Sequence, residues 1–488
     1  MIPLSLAEVA AAVGGRLEGA DPAALVTAPA AVDSRSVTPG GLFVAVHGAH
    51  VDGHDYADRA AAAGAVAVLA ERLVAAPAVV VDDTTLALGR LAALVRTRLT
   101  GCTVVGLTGS QGKTGTKDLL AHLLASAGSV VAPAGSFNNE LGVPLTVLRA
   151  DAGTDFLVSE MGARGHGQIR YLCGIVEPAV GLVLNVGVAH VGEFGSQADI
   201  ALAKGELVEQ LPADGTAVLN ADDPLVAPMA ARTAARVVTF GESSSADVQV
   251  LGLHVDGEGR PAFDLATQSG RVSVEMRLLG AHQASNAAAA AAVALTLGVP
   301  LPTVATSLAS AEPSSRWRME RHERADGVTV INDAYNANPD SVRAAVRTLA
   351  SVRRGGARTV AVLGEMLELG ASGPAEHEAV GALAARLGID RLVVVGEGAH
   401  AVHAGAQADA SWRGESVQVA DADGAIAVLA SLLPGDVVLV KASRGVGLER
   451  VAAALLADRR DTAPSDSDRP AIPRGDTTPR GPSGGLTR

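Results

Sequence analysis

Short, continuous apolar runs recur along this chain, each bounded by glycine or polar residues and separated by longer Ala- and Leu-rich stretches of helical character. In residues 1 to about 100 the runs are GLFVAV (Gly41–Val46) and AVAVLA (Ala65–Ala70). The polar, turn-forming HGAHVDGHD (His47–Asp55) lies between them. From about 101 to 314 come TVVGLT, FLVSEM (Phe156–Met161), VGLVLNVG (Val180–Gly187) and TAVLNADD (Thr216–Asp223). A third set follows a boundary near Ser314–Arg316: VTVINDAY (Val328–Tyr335), TVAVLGEM (Thr359–Met366), RLVVVGEG (Arg391–Gly398) and DVVLVKAS (Asp436–Ser443). Unbroken apolar runs, unlike alternating ones, belong to strands buried on both faces. The pattern therefore predicts an α/β protein with parallel sheets covered by helices. The expected units are a small α/β domain (1–100), a central domain (101–314) and an independent doubly wound domain (315–459). Beyond Arg460 the chain is rich in Pro, Ser, Asp, Thr and Gly and nearly free of large apolar residues, so 460–488 is expected to be a disordered tail.

Composition sharpens this only at a few points. A length of 488 residues fits about three domains. Aromatic residues make up 2% of the chain, so its cores must be built from Ala, Val and Leu, which favours α/β layers over an aromatic-rich sandwich. The formal net charge of −13 argues against nucleic acid as a partner. It does not exclude a phosphorylated small molecule held by a local cationic loop. Cys102 and Cys173 imply no disulfide framework, so a reducing cytosol and a cytoplasmic location are expected. The first residues lack a basic segment and carry Glu8, unlike a signal peptide. The most apolar stretch, Ala287–Leu297, is too short to span a bilayer.

The chemistry begins at GLTGSQGKTGTKDLL (Gly106–Leu120), between a predicted strand and a predicted helix. The usual phosphate loop reads G-x-x-x-x-G-K-[ST], whose first glycine would fall at Leu107. Here the glycine is Gly109, giving G-x-x-G-K-T. Gly109, Ser110, Gln111, Gly112 and Gly115 would bring backbone N–H groups to an anion at a helix N-terminus. Lys113 would reach the outer phosphates and the Thr114 hydroxyl a Mg²⁺ ion. Glu160 closes the next strand, where a nucleotide site needs a further metal carboxylate. His190, in NVGVAH, follows another strand; Mg²⁺ prefers oxygen, so on its own it reads more readily as a packing or hydrogen-bonding residue. Lys204, in A-K-x-E, taken alone is an ordinary helical surface charge. His282 and Asn286 share one face of an Ala-rich helix, where capping is the bland explanation. Arg318 and Asp333 flank the domain boundary, a common place for ligands, although NANPDS is also good N-cap chemistry.

Taken in order, T-G-S-x-G-K-T-x-T-K, E-M-G-A, N-V-G-x-A-H, A-K-x-E, G-x-H-x-x-S-N and D-A-Y-N-A-N-P-x-S resemble the Mur ligase family, the ATP-dependent amino-acid-adding enzymes of peptidoglycan synthesis. The resemblance spans about residues 30–455, and the short G-x-x-G-K-T loop is that family's intact form. It implies three domains, the first holding a UDP-sugar, the second binding ATP and the third closing over both, and a phosphoryl-activated carboxylate. The best match is to the branch that adds a dipeptide, which implies UDP-MurNAc-tripeptide and D-Ala-D-Ala as small-molecule substrates, with a monomer expected.

The resemblance also carries residue roles. Lys113 and Thr114 match the phosphate and Mg²⁺ residues, Glu160 a metal carboxylate, His190 the second-metal ligand and Lys204 a carbamylated lysine. Carbamylation makes physical sense, because reaction of a neutral amine with CO₂ turns a cation into an oxygen anion fit for Mg²⁺. Asn286 matches the adenine contact, Arg318 the γ-phosphate contact and Asp333 the ribose contact. Asn138 and Asn139 match a substrate-side pair, and Tyr335, Asn336 and Asn338 belong to the same set. Ser34, Arg35, His47, Asp52 and His54 match positions near the uridine nucleotide. The chain departs at Gln283, often Asn in the family, and at KASRG, where Ala442 replaces Gly.

Three other readings fit the sequence less well. The diaminopimelate- or lysine-adding relative is disfavoured because D-N-P-R is absent. Folylpolyglutamate synthase would not explain the DSR and DGHD strings. A nucleotide-gated binding protein would not need Glu160, His190 and Lys204 together.

Overall fold

The computed structural model describes residues 1–48, 51–187, 191–352 and 356–457. His190 and the 460–488 tail lie outside the described residues.

Among the described residues a two-stranded ribbon, Leu4–Ser5 with Leu25–Val26, accompanies three larger sheets that follow one another along the chain. The first, of four strands, runs Arg16–Glu18, Ala78–Val80, Ala67–Ala70 and Leu42–Val44 across its width, with the last three parallel. The helix Thr84–Arg98, capped by the Asp83 carboxylate on the Leu86 amide, packs this unit against the next.

The second sheet has nine strands. Thr103–Thr108 lies between Phe156–Glu160 and Val180–Val183, and Thr216–Asn220 and Arg236–Gly241 extend the sheet in parallel. This part follows from the unbroken apolar runs. The sheet then departs from the all-parallel expectation: Val248–Val255, Pro261–Thr267 and Gly270–Glu275 form an antiparallel meander. Alternation in VQVLGLHV is the sign of that meander: one face meets the core and the other meets solvent.

The helix His282–Thr296 explains how a chain so poor in aromatics builds a core. Ala287–Ala292 are fully buried, and this helix packs against Lys113–Leu124 on one side and the sheet on the other. Small side chains let it approach closely enough to be enclosed all round.

The third sheet orders its strands Glu320–Glu323, Thr329–Asn332, Val437–Lys441, Thr359–Gly364, Arg391–Val395 and Glu415–Val419. All neighbours are parallel except the charged edge strand Glu320–Glu323. That strand (ERHE) and Glu415–Val419 (ESVQV) are too polar to stand out as apolar runs. Among the described residues no helix is long and apolar enough to cross a membrane.

The carboxyl ends of the second and third sheets face a common cavity of about 930 Å³. In open α/β sheets this is where ligands bind.

Ala290→Leu tests the packing argument. With no exposed surface and neighbours on every side, the larger side chain should cost about 1–3 kcal/mol, read as a lower urea midpoint at unchanged slope. An unchanged midpoint would contradict close packing at this helix.

Candidate active site

Leu107 is not a damaged glycine. It is fully buried within the Thr103–Thr108 strand, in register with Leu182 on one side and Glu160 on the other. The loop begins two residues later, at Gly109, where a Cβ would lie 2.9 Å from Leu184 Cβ. Gly112 has φ +77°, and a Cβ there would meet Asn286 Oδ1 at 2.6 Å. Both positions therefore need glycine, the first for close approach and the second also for its left-handed backbone.

A residue absent from the sequence-derived site organises this loop. The Asn185 side-chain oxygen accepts from the Ser110 and Gln111 amides, each at 3.0 Å, and its Nδ2 donates to the Gln111 carbonyl at 3.1 Å. The Gly187 amide donates to Ser110 Oγ at 2.8 Å. Two loop amides are thus already occupied. The amides of Lys113, Thr114 and Gly115, which have no acceptor within the helix they open, remain for an anion. Asn185 sits inside the LNVG string, but an asparagine at a strand end carries no signal of its own without the fold.

Charge is concentrated beside the loop. Lys113 Nζ donates to the Gly109 carbonyl at 2.6 Å. Burial lowers its pKa; Glu160 opposes that shift and Arg318 adds to it. Lys204 is 4% exposed and makes no hydrogen bond or ion pair with a described residue. Burial, and then the charge of Lys113, push its pKa well below the ordinary lysine value. Glu206, two residues on and so on another face of the helix, accepts from the Gly167 and Arg170 amides and caps the helix Gln168–Val176. The two residues of A-K-x-E thus serve different ends.

Glu160 is fully buried. Its Oε1 accepts from Asn138 Nδ2 at 2.8 Å, while its Oε2 is buried with no partner among the described residues. A buried carboxylate oxygen left bare is costly, and an oxygen-seeking divalent cation is a fitting occupant. The Thr114 hydroxyl lines the same cavity. It meets Arg318 at 3.5 Å; the guanidinium lies 4.3 Å over the Tyr335 ring and leaves a buried Nε unpartnered.

The third sheet supplies the opposite wall. Asp333 accepts from the Met319 amide at 3.2 Å and from Lys441. Asn336 lends its carbonyl to Lys441, and Tyr335 bonds Ser136 across the cavity. Asn286 donates to Gln283 at 3.0 Å. Asn139 and Asn338 also line the cavity, yet their side chains have local work: Asn139 accepts from the Gly142 amide, and Asn338 caps Pro339–Ser351.

The five N-terminal candidates do not line this cavity. Ser34 is buried, and Arg35 pairs with Asp33. His47, Asp52 and His54 cluster together. His54 is fully engaged within its own unit: Nδ1 meets Asp52 at 2.6 Å and Nε2 accepts from the Glu71 amide. That tautomer turns a proton, not a lone pair, toward Asp52, so the cluster is poorly suited to metal.

Family models match almost end to end. The Mur ligase family catalytic domain matches residues 30–95, the Mur ligase middle domain 107–294 and the Mur ligase glutamate ligase domain 317–444. The chain belongs to the Mur ligase family. Within it, the UDP-N-acetylmuramoyl-tripeptide–D-alanyl-D-alanine ligase of Mycobacterium tuberculosis is 48% identical over 94% of this chain and 98% of its own length. The enzyme of that name from Escherichia coli is 38% identical over 93% and 99%. Among solved Mur ligases, MurF from Acinetobacter baumannii matches with TM-score 0.83 and 32% identity over 93% of this chain and 99% of its own. MurF of Thermotoga maritima, solved in complex with ADP, matches with TM-score 0.76 and 31% identity over 90% and 99%.

Asn185→Ala strips three side-chain hydrogen bonds from the loop and orphans the Gln111 amide, while the Ser110 amide keeps the Asn185 backbone carbonyl. It should weaken nucleoside triphosphate binding about ten- to a hundredfold by calorimetry, with little change in melting temperature. Unaltered binding would mean that the loop holds its shape without Asn185.

Proposed function

We propose that this chain is an ATP-dependent amide ligase that joins D-alanyl-D-alanine to UDP-N-acetylmuramoyl-tripeptide, making the pentapeptide precursor of peptidoglycan. The observation that carries this reading is the cavity itself. A phosphate loop, a bare buried carboxylate oxygen, the buried Lys204 amine and three side-chain cations (Lys113, Arg318 and Lys441) converge between two sheet ends, in a chain whose near-full-length relatives bear that ligase name. The likeness to an ADP-bound family member supports ATP as the phosphoryl donor.

A carboxylate resists attack by an amine, so it must first be activated. In the proposed reaction the tripeptide carboxylate attacks the γ-phosphorus of ATP and ADP departs, leaving an acyl phosphate. The free amine of the dipeptide adds to the acyl carbon, and the tetrahedral adduct expels phosphate to leave the amide. The protein's share is positioning and charge compensation. The amides of Lys113–Gly115 and the Lys113 ammonium hold the phosphates, and Arg318 meets the γ-phosphate. Asn286 takes the adenine and Asp333 the ribose. Asn138, Asn139, Tyr335, Asn336 and Asn338 face the peptide substrates. The uridine end is assigned to the N-terminal unit, near Ser34, Arg35, His47, Asp52 and His54. Thr114, Glu160, His190 and carbamylated Lys204 would hold Mg²⁺, which supplies charge neutralisation to the approaching anions. Enclosure between the sheets keeps water from the activated acyl group. The reading extends to a cytoplasmic monomer.

Purified protein with ATP, Mg²⁺ and UDP-MurNAc-tripeptide should release phosphate in a manner dependent on D-Ala-D-Ala and yield the pentapeptide by mass. Release dependent on diaminopimelate or glutamate instead would keep the family and overturn the substrate. ATP binding with no release on any acceptor would favour a binding protein.

Lys204 has its own test. Burial, and then the charge of Lys113, lower the proton affinity of Lys204 and so favour the neutral amine, the form that reacts with CO₂. Lys204→Ala should lose activity by at least about a hundredfold, with partial recovery in millimolar short carboxylates. Full activity of the alanine variant, or of wild type stripped of CO₂ and bicarbonate, would overturn the carbamate.

A further inference from the structure

Lys441 ends the strand Val437–Lys441 and is 1% exposed, yet it lines the cavity. Its Nζ donates to the Asp333 carboxylate and, at 3.0 Å, to the Asn336 carbonyl. The other Asp333 oxygen accepts from the Met319 amide, next to Arg318. Two residues beyond Lys441, Ser443 donates to the Ala337 carbonyl and accepts from the Leu367 amide. One strand end thus grips the whole loop from Asp333 to Ala337.

Cohesion of the sheet does not require this ion pair. The strands carrying it are already parallel neighbours, with Asn332 opposite Val440 and the Asp333 amide bonded to the Val440 carbonyl. A buried ion pair is also a poor source of net stability: an apolar pair of similar volume often serves as well or better. What it adds is orientation. Each Asp333 oxygen has one fixed donor and a second lone pair still available to a ligand.

We infer that Lys441 is a positioning residue for the nucleotide: it aims the Asp333 carboxylate at the ribose hydroxyls and, through the Asp333–Met319 bond, fixes the backbone that carries Arg318. The inference rests on reading Asp333 as the ribose contact, and the two are separable by experiment.

Asp333→Asn, Lys441→Met and Lys441→Gln are compared with wild type for KM with ATP and 2′-deoxy-ATP, KM for UDP-MurNAc-tripeptide, and thermal melting. Asp333→Asn should erase most of the preference for ATP over 2′-deoxy-ATP. Lys441→Met should raise KM for ATP about tenfold and lower the same preference, with a smaller rise in KM for the peptide substrate because Lys441 also holds the Asn336 carbonyl. Lys441→Gln, which keeps a donor without the charge, should fall between. If Asp333→Asn keeps the preference, the ribose reading falls and the inference with it. If Asp333→Asn loses the preference while both Lys441 variants retain it, only the inference falls. Should Lys441→Met fail to melt cooperatively, Lys441→Gln decides; loss of the melt in both would make Lys441 purely structural and overturn the proposal.

Discussion

Everything around the cavity depends on keeping like charges together in a place with little water. Lys113 and Lys204 are close enough, and dry enough, that the charge of one depresses proton binding by the other. Arg318 adds to the strain on Lys113, and only Glu160 opposes it. Such an arrangement is unfavourable in the absence of an anion. It becomes favourable when phosphates and a divalent cation enter. The sheets, the loop and the small-residue core can be understood as the scaffold that holds this frustrated cluster in register.

The scaffold owes its rigidity to where backbone groups are satisfied. Asn185 takes two amides of the phosphate loop, Glu206 caps the helix behind the Met161–Gly167 segment, and Asn338 caps the helix that follows the Asp333 loop. Each buried donor so satisfied is one that cannot compete for ligand. The donors left over, at the start of the Lys113–Leu124 helix, are those facing the cavity. Selectivity for an anion at this point comes as much from the amides withdrawn as from those presented.

Much of this was legible from the chain. The central and C-terminal parallel strands announce themselves because a strand buried on both faces must be apolar throughout. The loop glycines and Lys113 could be read because close backbone approach and a helix N-terminus demand particular residues. The antiparallel meander at Val248–Glu275 was harder, since half its positions face solvent. Glu320–Glu323 was hidden altogether, because an edge strand needs no apolar run. Asn185 and Lys441 stand in the quoted N-V-G-x-A-H and KASRG strings, yet their roles escaped for a different reason. Their importance lies in partners 74 to 108 positions away, and no local pattern encodes a contact of that range.

The N-terminal cluster shows the same limit from the other side. DGHD reads by itself as a polar turn, and only the family resemblance marks it as near the uridine nucleotide. In the fold, His54 spends both ring nitrogens on Asp52 and Glu71 and is fully enclosed, so its role is to shape the loop. Asp52 is held well below the usual carboxylate range chiefly by the His54 amide and ring. A charge fixed in this way, with His47 half-exposed beside it, presents an oriented polar rim rather than a reactive group. Recognition of a large nucleotide-linked substrate needs such a rim, while the chemistry needs the buried cluster. On the proposed assignment of the uridine end to the N-terminal unit, the two tasks fall to different sheets.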